Sequence, residues 1–197
     1  MGSAVIFPAT AMPDPEWWHA LWPEPEAVVA ALGISRQLRV VDLCCGDGWF
    51  TLPLARAVRH VLAIDLDPHM LQLARERFAT AKVSNCQFIE GDAYDVARLV
   101  VEPVDVVLIA NTFHGVPDKQ RLAREVARIL LPGGRFIINW HRLPREATTV
   151  LGKGPATDMR MEPAVVAAVV APIGFSLTQV VELPPYHYAA VFSRSPA

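Results

Sequence analysis

Short apolar runs alternate with helix-like segments along most of this chain of 197 residues. Five of these runs are rich in apolar and β-branched residues and predict strands at 38–43, 60–65, 86–90, 104–110 and 134–140. In the fourth run the apolar residues from Val106 to Ile109 are consecutive, which is typical of a strand buried on both faces of a parallel sheet. Strands that alternate with helices build right-handed βαβ units, so the pattern predicts an open, doubly wound α/β fold.

The helices between the strands carry recognisable signals. In 117–131 the apolar residues recur at helical spacing, and the helix is expected to stop at the Leu-Pro-Gly-Gly segment 131–134. A second helix is predicted to begin at Asp67 and Pro68 as N-cap and first turn, and to bury Met70, Leu71, Ala74 and Phe78. Near the end of the chain, 176–183 and 186–193 are joined by two prolines and predict an antiparallel hairpin.

The organisation expected from this pattern is a single domain over 1–197. Within it we expect an N-terminal helical cap at 1–34, with one or two helices in 14–33, and a cofactor-binding core at 38–140. A lid loop is expected at 142–161, and a C-terminal helix and hairpin at 162–197.

Composition limits the classes of function. A net charge of −2 and a pI near 6.3 give no general attraction to nucleic acid. The most apolar segments are shorter than the roughly 20 residues of a membrane-spanning helix, and residues 1–12 lack the basic and apolar regions of a signal peptide. Three cysteines, not spaced as a zinc site, favour a reducing compartment, so we expect a cytoplasmic protein without a metal.

Three acidic or glycine-rich segments follow the first three predicted strands. Gly46 and Gly48 follow the first strand and would let a ligand approach the main chain, although a tight turn would use them equally. Asp65 ends the second strand 65 − 46 = 19 residues after Gly46, where a carboxylate can accept hydrogen bonds from ribose hydroxyls. Asp92 follows the third strand and could contact an adenine amino group or simply cap a helix.

Together these segments resemble the class I S-adenosylmethionine-dependent methyltransferases, of the small-molecule type 11 and 12 kind. The resemblance covers about 38–140 and rests on four segments: Val41-Asp42-Leu43-Cys44-Cys45-Gly46-Asp47-Gly48, Ala63-Ile64-Asp65-Leu66-Asp67 with Met70-Leu71, Glu90-Gly91-Asp92-Ala93, and Leu130-Leu131-Pro132-Gly133-Gly134-Arg135. It implies a Rossmann-like sheet of seven strands, six parallel and one antiparallel, and S-adenosylmethionine as the cofactor. The chain departs from the family at Cys44, where the glycine triplet usually begins with glycine.

The resemblance also implies roles for individual residues. Asp42 would help to hold the methionine amino group, and Cys44, Gly46 and Gly48 would line the methionine and ribose. The rest of the implied cofactor site comprises Asp65 at the ribose, Leu66, Met70, Asp92 and Ala93 at the adenine, and Asn111 facing the cofactor or the substrate entrance. A nicotinamide dehydrogenase, the main rival of the same fold, expects G-x-G-x-x-G where this chain has Cys44-x-Gly46-x-Gly48.

The methyl acceptor is less well specified. His114 lies where many small-molecule methyltransferases carry a histidine that could act as a base, although it could equally cap the next helix. The other candidate substrate residues are Trp140, His141, Tyr186 and His187, for which aromatic packing is the stronger interpretation. Trp17 and Trp18 are also candidates, and they could either form a wall of the substrate pocket or pack a helix against the core. We therefore predict in-line methyl transfer to a small molecule. The alternatives are a non-catalytic binding module and an enzyme that methylates a protein or RNA group.

Overall fold

A computed structural model describes residues 15–141, 160–184 and 186–194 of the chain. Seven strands form one sheet in the order β3-β2-β1-β4-β5-β7-β6. The strands are β1 Val40–Leu43, β2 Val61–Asp65, β3 Cys86–Glu90, β4 Val104–Ala110, β5 Leu130–His141, β6 Phe175–Leu183 and β7 His187–Arg194. The helices are α1 Pro15–Leu21, α2 Pro25–Ala31, α3 Thr51–Ala57, α4 Pro68–Ala81, α5 Val96–Leu99, α6 Lys119–Ile129 and α7 Pro163–Val170. Short 3₁₀ turns occupy Ala93–Asp95, Phe113–Gly115 and Ala171–Ile173.

The strand directions confirm the predicted sheet. Strands β1 to β5 are parallel to one another, and β7 is antiparallel to both β5 and β6. Six strands therefore run in one direction and β7 runs in the other. The predicted buried run in β4 is fully buried from Val106 to Ile109. The chain order reverses between β1 and β4, and ligands of open α/β sheets bind outside the carboxyl ends of the strands at such a point.

Several predicted boundaries differ from the structure by one or more residues, and the differences at β1 and at the α6–β5 junction have a local cause. Strand β1 begins at Val40 because its pairing with β2 and β4 begins there, so 38–39 precede the sheet. Helix α6 ends at Ile129 and β5 follows directly, since Leu130 pairs with Val104 whereas Arg135 pairs with Val106. The Leu-Pro-Gly-Gly segment is therefore a bulge inside β5, with Gly133 at φ 76°.

Helix α4 largely follows its prediction. The Asp67 carboxylate caps its first turn by accepting from the His69 N–H at 2.8 Å. Leu71, Ala74 and Phe78 are buried, but Met70 is only half-buried, which corrects the prediction that it belongs to the core.

The N-terminal segment forms two helices that pack on one face of the sheet. Trp18, Leu21 and Trp22 of this segment are buried and share a core with Val40 and Ile137. Helices α5, α6 and α7 contribute to the core on the opposite face. Among the described residues, none of the helices is long and apolar enough to cross a bilayer. The predicted lid at 142–161 lies outside the described residues except for 160 and 161.

Candidate cofactor and acceptor site

The residues predicted to bind a ligand meet along one edge of the sheet. The loops after β1, β2, β3 and β4 start at this edge because these strands are parallel, and β7 starts there because it runs the other way. The segments that follow the strands are 44–48, 66–67, 91–93 and 111–114. One shared edge therefore carries the glycine loop, the acidic residues and the candidate acceptor residues.

The loop after β1, residues 44–48, is built from left-handed backbone. Cys44, Gly46 and Gly48 have φ angles of 61°, 55° and 83°. A Cβ on Gly48 would lie 3.1 Å from the Cβ of Ala74, so glycine is needed both for the turn and for the close approach of α4. Cys44 adopts the same conformation with a side chain, which strains a non-glycine residue by about 1–2 kcal/mol.

Asp65 at the end of β2 holds this loop in place. Its Oδ2 accepts from the Gly46 N–H at 2.7 Å, and its Oδ1 accepts from the Asp67 N–H at 2.9 Å. Burial raises the pKa of this carboxyl, whereas the hydrogen bonds from Asp67 and Gly46 lower it. Each carboxylate oxygen retains a lone pair that could accept from a ribose hydroxyl.

Asp42 lies deeper, on the face of the sheet covered by α3. It is 1% exposed, and its Oδ2 accepts from the Thr51 hydroxyl at 2.6 Å. Burial raises its pKa to about 7, against the lowering effect of the Thr51 hydrogen bond, and nearby Asp65 raises it further. The carboxyl is thus poised to ionise when a cation approaches.

Asp92 caps the turn after β3. Its Oδ1 accepts from the Tyr94 N–H at 2.8 Å, which is the helix-capping role that the sequence left open beside an adenine contact. The following Ala93 is buried, while Leu66 and Met70 on the neighbouring β2–α4 connection are half-buried. These residues are available to line one end of a ligand site.

The carboxylates of Asp42, Asp65 and Asp92 lie close enough to Cys44 for their charges to act on it. Burial raises the pKa of the Cys44 thiol well above its ordinary value, and the charges of Asp65, Asp42 and Asp92 raise it further. This edge of the sheet is therefore negatively polarised. It suits a ligand that carries positive charge and disfavours a pyrophosphate.

Asn111 and His114 lie past the end of β4. Asn111 has a left-handed φ of 56°, and its N–H donates to the side chain Oδ1 and the main-chain oxygen of Asn139 at 3.1 and 3.2 Å. Burial lowers the pKa of His114 to about 4, with a smaller effect from the charge of Lys119. At neutral pH this imidazole is uncharged and is a weak base.

The aromatic residues predicted to contact the substrate fall into two sets: those whose side-chain packing the structure describes, and those whose side chains it does not describe. Trp18 is buried in the α1 core, and His187 is buried and stacks on Trp22 with ring centroids 3.6 Å apart. Tyr186 is half-buried and lies edge-on to His187. The backbone of Trp140 and His141 belongs to β5 and that of Trp17 to α1, but these three side chains lie outside the described part of the chain.

Sequence reasoning missed residues that support the site. Arg77 of α4 pairs with the Asp47 carboxylate, and its Nε donates to the Asp47 carbonyl at 3.0 Å. Neither Arg77 nor Thr51 has a signal in the sequence that separates it from other helix residues. Asn139 does have one, because it is an amide directly after the apolar run from Phe136 to Ile138.

Two further observations concern a possible metal site and a cavity. Among residues 15–141, 160–184 and 186–194, no group of three or more histidine, cysteine or acidic side chains is arranged to hold a metal ion. A cavity of about 310 Å³ lined by Arg39, His60 and Glu102 lies at the opposite, amino-terminal edge of the sheet. The carboxyl-terminal edge of the sheet, which carries Asp42, Asp65 and Asp92 and is called the acidic edge below, is therefore separate from this cavity.

Known proteins are similar to this chain over the region that contains the acidic edge. The methyltransferase domain family matches residues 40–134. A demethylmenaquinone methyltransferase of Staphylococcus aureus (strain MRSA252) is 30% identical over 122 residues, which cover 60% of this chain. The chain spans about half the length of this curated relative, since the match covers 48% of it.

Solved structures share the fold over most of the chain. A SAM-dependent methyltransferase from Aquifex aeolicus superposes with a TM-score of 0.75 at 22% identity, covering 91% of this chain and 93% of its own. Magnesium protoporphyrin IX methyltransferase from Synechocystis PCC 6803, solved with bound SAM, has a TM-score of 0.65 at 17% identity and covers 91% and 90% of the two chains. The matches show that residues 40–134 are similar to a methyltransferase domain, and that the chain shares its fold with solved methyltransferases, one of which contains bound SAM.

Proposed function

We propose that the chain transfers the methyl group of S-adenosylmethionine to a small-molecule acceptor in the cytoplasm. The observation that carries this proposal is that Asp42, Asp65 and Asp92 lie at or near the carboxyl ends of three adjacent strands, where Asp65 holds the glycine loop through the Gly46 N–H. S-adenosylmethionine bears a sulfonium and an ammonium against one carboxylate, so its net positive charge suits this edge of the sheet. The pyrophosphate of a nicotinamide cofactor would be repelled there.

Three parts of the cofactor correspond to three parts of the edge. Asp42 is the carboxylate for the ammonium, with Cys44, Gly46 and Gly48 beside the methionine and ribose. Asp65 takes the ribose hydroxyls, and Asp92, Ala93, Leu66 and Met70 surround the adenine. Asn111 faces the methionine end, next to the acceptor.

The chemistry demands little acid or base from the protein. Methyl transfer is an in-line displacement at the sulfonium carbon, which the cofactor itself activates, and the chain supplies alignment and a site shielded from water. His114 is the candidate acceptor-side group. Its lowered pKa makes it a neutral hydrogen-bond partner rather than a strong base.

A small organic acceptor is favoured by the relatives and by the charge of the chain. The curated relative is named for a small molecule, demethylmenaquinone. The net charge of −2 offers no general attraction to RNA or DNA. The candidate acceptor residues are His114, Trp140, His141, Tyr186 and His187, with Trp17 and Trp18 on the N-terminal side.

Calorimetry with S-adenosylhomocysteine and NAD tests the cofactor assignment. We expect S-adenosylhomocysteine to bind and NAD to bind at least tenfold more weakly, because each charge-assisted hydrogen bond is worth about 1.5–3 kcal/mol. Equal or tighter binding of NAD would contradict the assignment. Binding of S-adenosylhomocysteine without transfer to any of a panel of phenolic, amine and thiol acceptors would favour a non-catalytic binding module.

A further inference from the structure

Two asparagines are neighbours at the carboxyl ends of β4 and β5, the buried Asn139 and the half-buried Asn111. Asn139 is fully buried, and its Oδ1 accepts from the main-chain N–H of Asn111 at 3.1 Å. Because a carbonyl oxygen must face that donor, the amide of Asn139 has one orientation, and its Nδ2 points away from the Asn111 N–H. This Nδ2 has no hydrogen-bond partner among the described residues.

The side chain of Asn111 is in the same situation. Its Nδ2 and Oδ1 are both shielded from solvent and have no partner in the described ranges. A buried amide group left without hydrogen bonds costs about 1–3 kcal/mol, and native proteins retain such groups mainly where function uses them. Three unpaired polar atoms therefore lie together at the end of the sheet that binds ligands.

Small and aromatic side chains lie on the same face of the sheet as Asn139. Asn139 pairs with Ala110 and Ala189, whose small side chains lie on the same face of the sheet. His187, two residues before Ala189, shares this face and stacks on Trp22 at 3.6 Å. The Trp22 Nε1–H is a further buried donor with no partner in the described part of the chain.

We propose that Asn111 and Asn139 form the polar subsite for the methyl acceptor, and that this acceptor is a planar ring bearing two neighbouring oxygens. Asn111 offers a donor and an acceptor, which a hydroxyl group satisfies at once, whereas Asn139 offers a donor to the second oxygen. His187, which stacks on Trp22, lies on the same face of the sheet as Asn139, so a planar ring that reached Asn139 would lie beside aromatic side chains. The assignment rests on the proposed methyltransferase function, because it places the acceptor beside the cofactor loop.

The side-chain amides themselves provide the readout. Isotope-labelled protein is saturated with S-adenosylhomocysteine and titrated with catechol, and the NH₂ signals of Asn111 and Asn139 are followed by NMR. The matched probe is o-xylene, which has the same shape with methyl groups in place of hydroxyls. We expect catechol, and not o-xylene, to shift both NH₂ signals.

Variants separate recognition from structure. Asn139→Leu should weaken catechol binding about three- to tenfold, the value of one hydrogen bond, and leave the affinity for S-adenosylhomocysteine within about twofold. The control is Asn85→Leu, since Asn85 Nδ2 donates to the carbonyls of Ala55 and Val58 at 2.7 and 2.9 Å. This variant should lose stability without a change in catechol affinity.

Several outcomes would overturn the subsite, and they differ from failure of the proposed function. If S-adenosylhomocysteine alone shifts both amide signals and catechol adds nothing, the pair serves the cofactor. If Asn139→Leu binds catechol unchanged, or catechol does not bind to the S-adenosylhomocysteine complex, the amides are structural. Absence of S-adenosylhomocysteine binding would instead contradict the methyltransferase assignment itself.

Discussion

Cys44 departs from the glycine triplet of the methyltransferases that this chain resembles, and its backbone explains why glycine is usual there. At φ 61° a side chain is strained and a glycine is not, so the glycine that usually begins this loop answers a conformational requirement. The structure also shows that cysteine is tolerated here. The loop is held in this conformation by the hydrogen bond that the Gly46 N–H donates to the Asp65 carboxylate.

Cys44→Gly should remove the strain at this position. We expect the free energy of unfolding to change by less than about 1 kcal/mol, because the relief of roughly 1–2 kcal/mol is offset by the greater freedom of glycine in the unfolded chain. The affinity for S-adenosylhomocysteine should stay equal or rise, since the side chain no longer narrows the loop. Denaturant unfolding and calorimetry measure the two quantities, and a loss of affinity would show that the thiol contacts the cofactor favourably.

Asp42 gives the protein a defined pH dependence. Its folded-state pKa of about 7 lies above the ordinary value of 3.8, so the folded protein binds a proton that the unfolded chain releases between these pH values. The stability from the protonated form is fully present below pH 4 and is lost as the pH rises through about 7. Ionised Asp42 then costs up to about 4 kcal/mol in the ligand-free protein.

Asp42→Asn removes this titration and keeps an oxygen that can accept from Thr51. We expect the variant to gain stability over the wild type as the pH is raised from 5 to 8, and to bind S-adenosylhomocysteine more weakly at pH 8. Melting curves and calorimetry at both pH values check the two effects. A stability difference that does not change with pH would mean that Asp42 ionises normally.

The residue scale is where sequence reasoning and structure differ most. Asp65 was predicted to accept hydrogen bonds from ribose hydroxyls. In the structure its carboxylate also holds the N–H groups of Gly46 and Asp67, and these contacts depend on how two loops meet in space. Its removal should therefore disturb the loop as well as any ligand. Asn139, Thr51 and Arg77 act across 28, 9 and 30 positions of sequence, so no local pattern reveals their partners.

At the scale of elements, helix α4 braces the glycine loop. Ala74 packs under Gly48, and Arg77 binds Asp47 while its guanidinium lies 5.2 Å from the centre of the Trp49 ring. Trp49 in turn contacts the ring of His19 in α1 at 4.5 Å. The loop is therefore held between two helices as well as by Asp65.

Arg77→Met should loosen this brace. We expect the affinity for S-adenosylhomocysteine to fall several-fold because the loop must then be ordered on binding, and the melting temperature to change little since Arg77 is partly exposed. Arg75→Met is the matched control, because Arg75 lies on the same helix with its guanidinium 5.4 Å from the centre of the Phe88 ring in β3. Equal effects of the two variants on affinity would show that Arg77 has no special role.

Elements were the most predictable level of this structure. The buried run of β4, the Asp67 cap of α4 and the C-terminal hairpin were all readable because each depends on neighbouring residues. The start of β5 was not, because its bulge is fixed by the pairing of Leu130 with Val104 rather than by the local Leu-Pro-Gly-Gly sequence. Short-range chemistry thus set the elements, and pairing set their ends.

At the scale of the whole molecule, α1 and α2 could have one of two roles, as a roof over the ligands or as part of the core. One view makes α1 and α2 a roof that closes over the ligands and is mobile without them. The structure favours the other, because Trp18, Leu21 and Trp22 are buried against strands of the central sheet. Trp22 also contacts the rings of Phe50 and His187, which joins α1 to the segment before α3 and to β7.

Deleting residues 1–22 tests the two views. The deletion exposes the part of the core that contains Val40 and Ile137, and loss of a single buried aromatic side chain commonly costs about 3–5 kcal/mol. Most domains are stable by only about 5–15 kcal/mol, so we expect the shortened chain to lose its cooperative melting transition. In the intact protein, amide hydrogens of α1 should exchange slowly with and without S-adenosylhomocysteine. A shortened chain that melts cooperatively, binds S-adenosylhomocysteine and fails only in turnover would instead show that α1 is a roof over the acceptor.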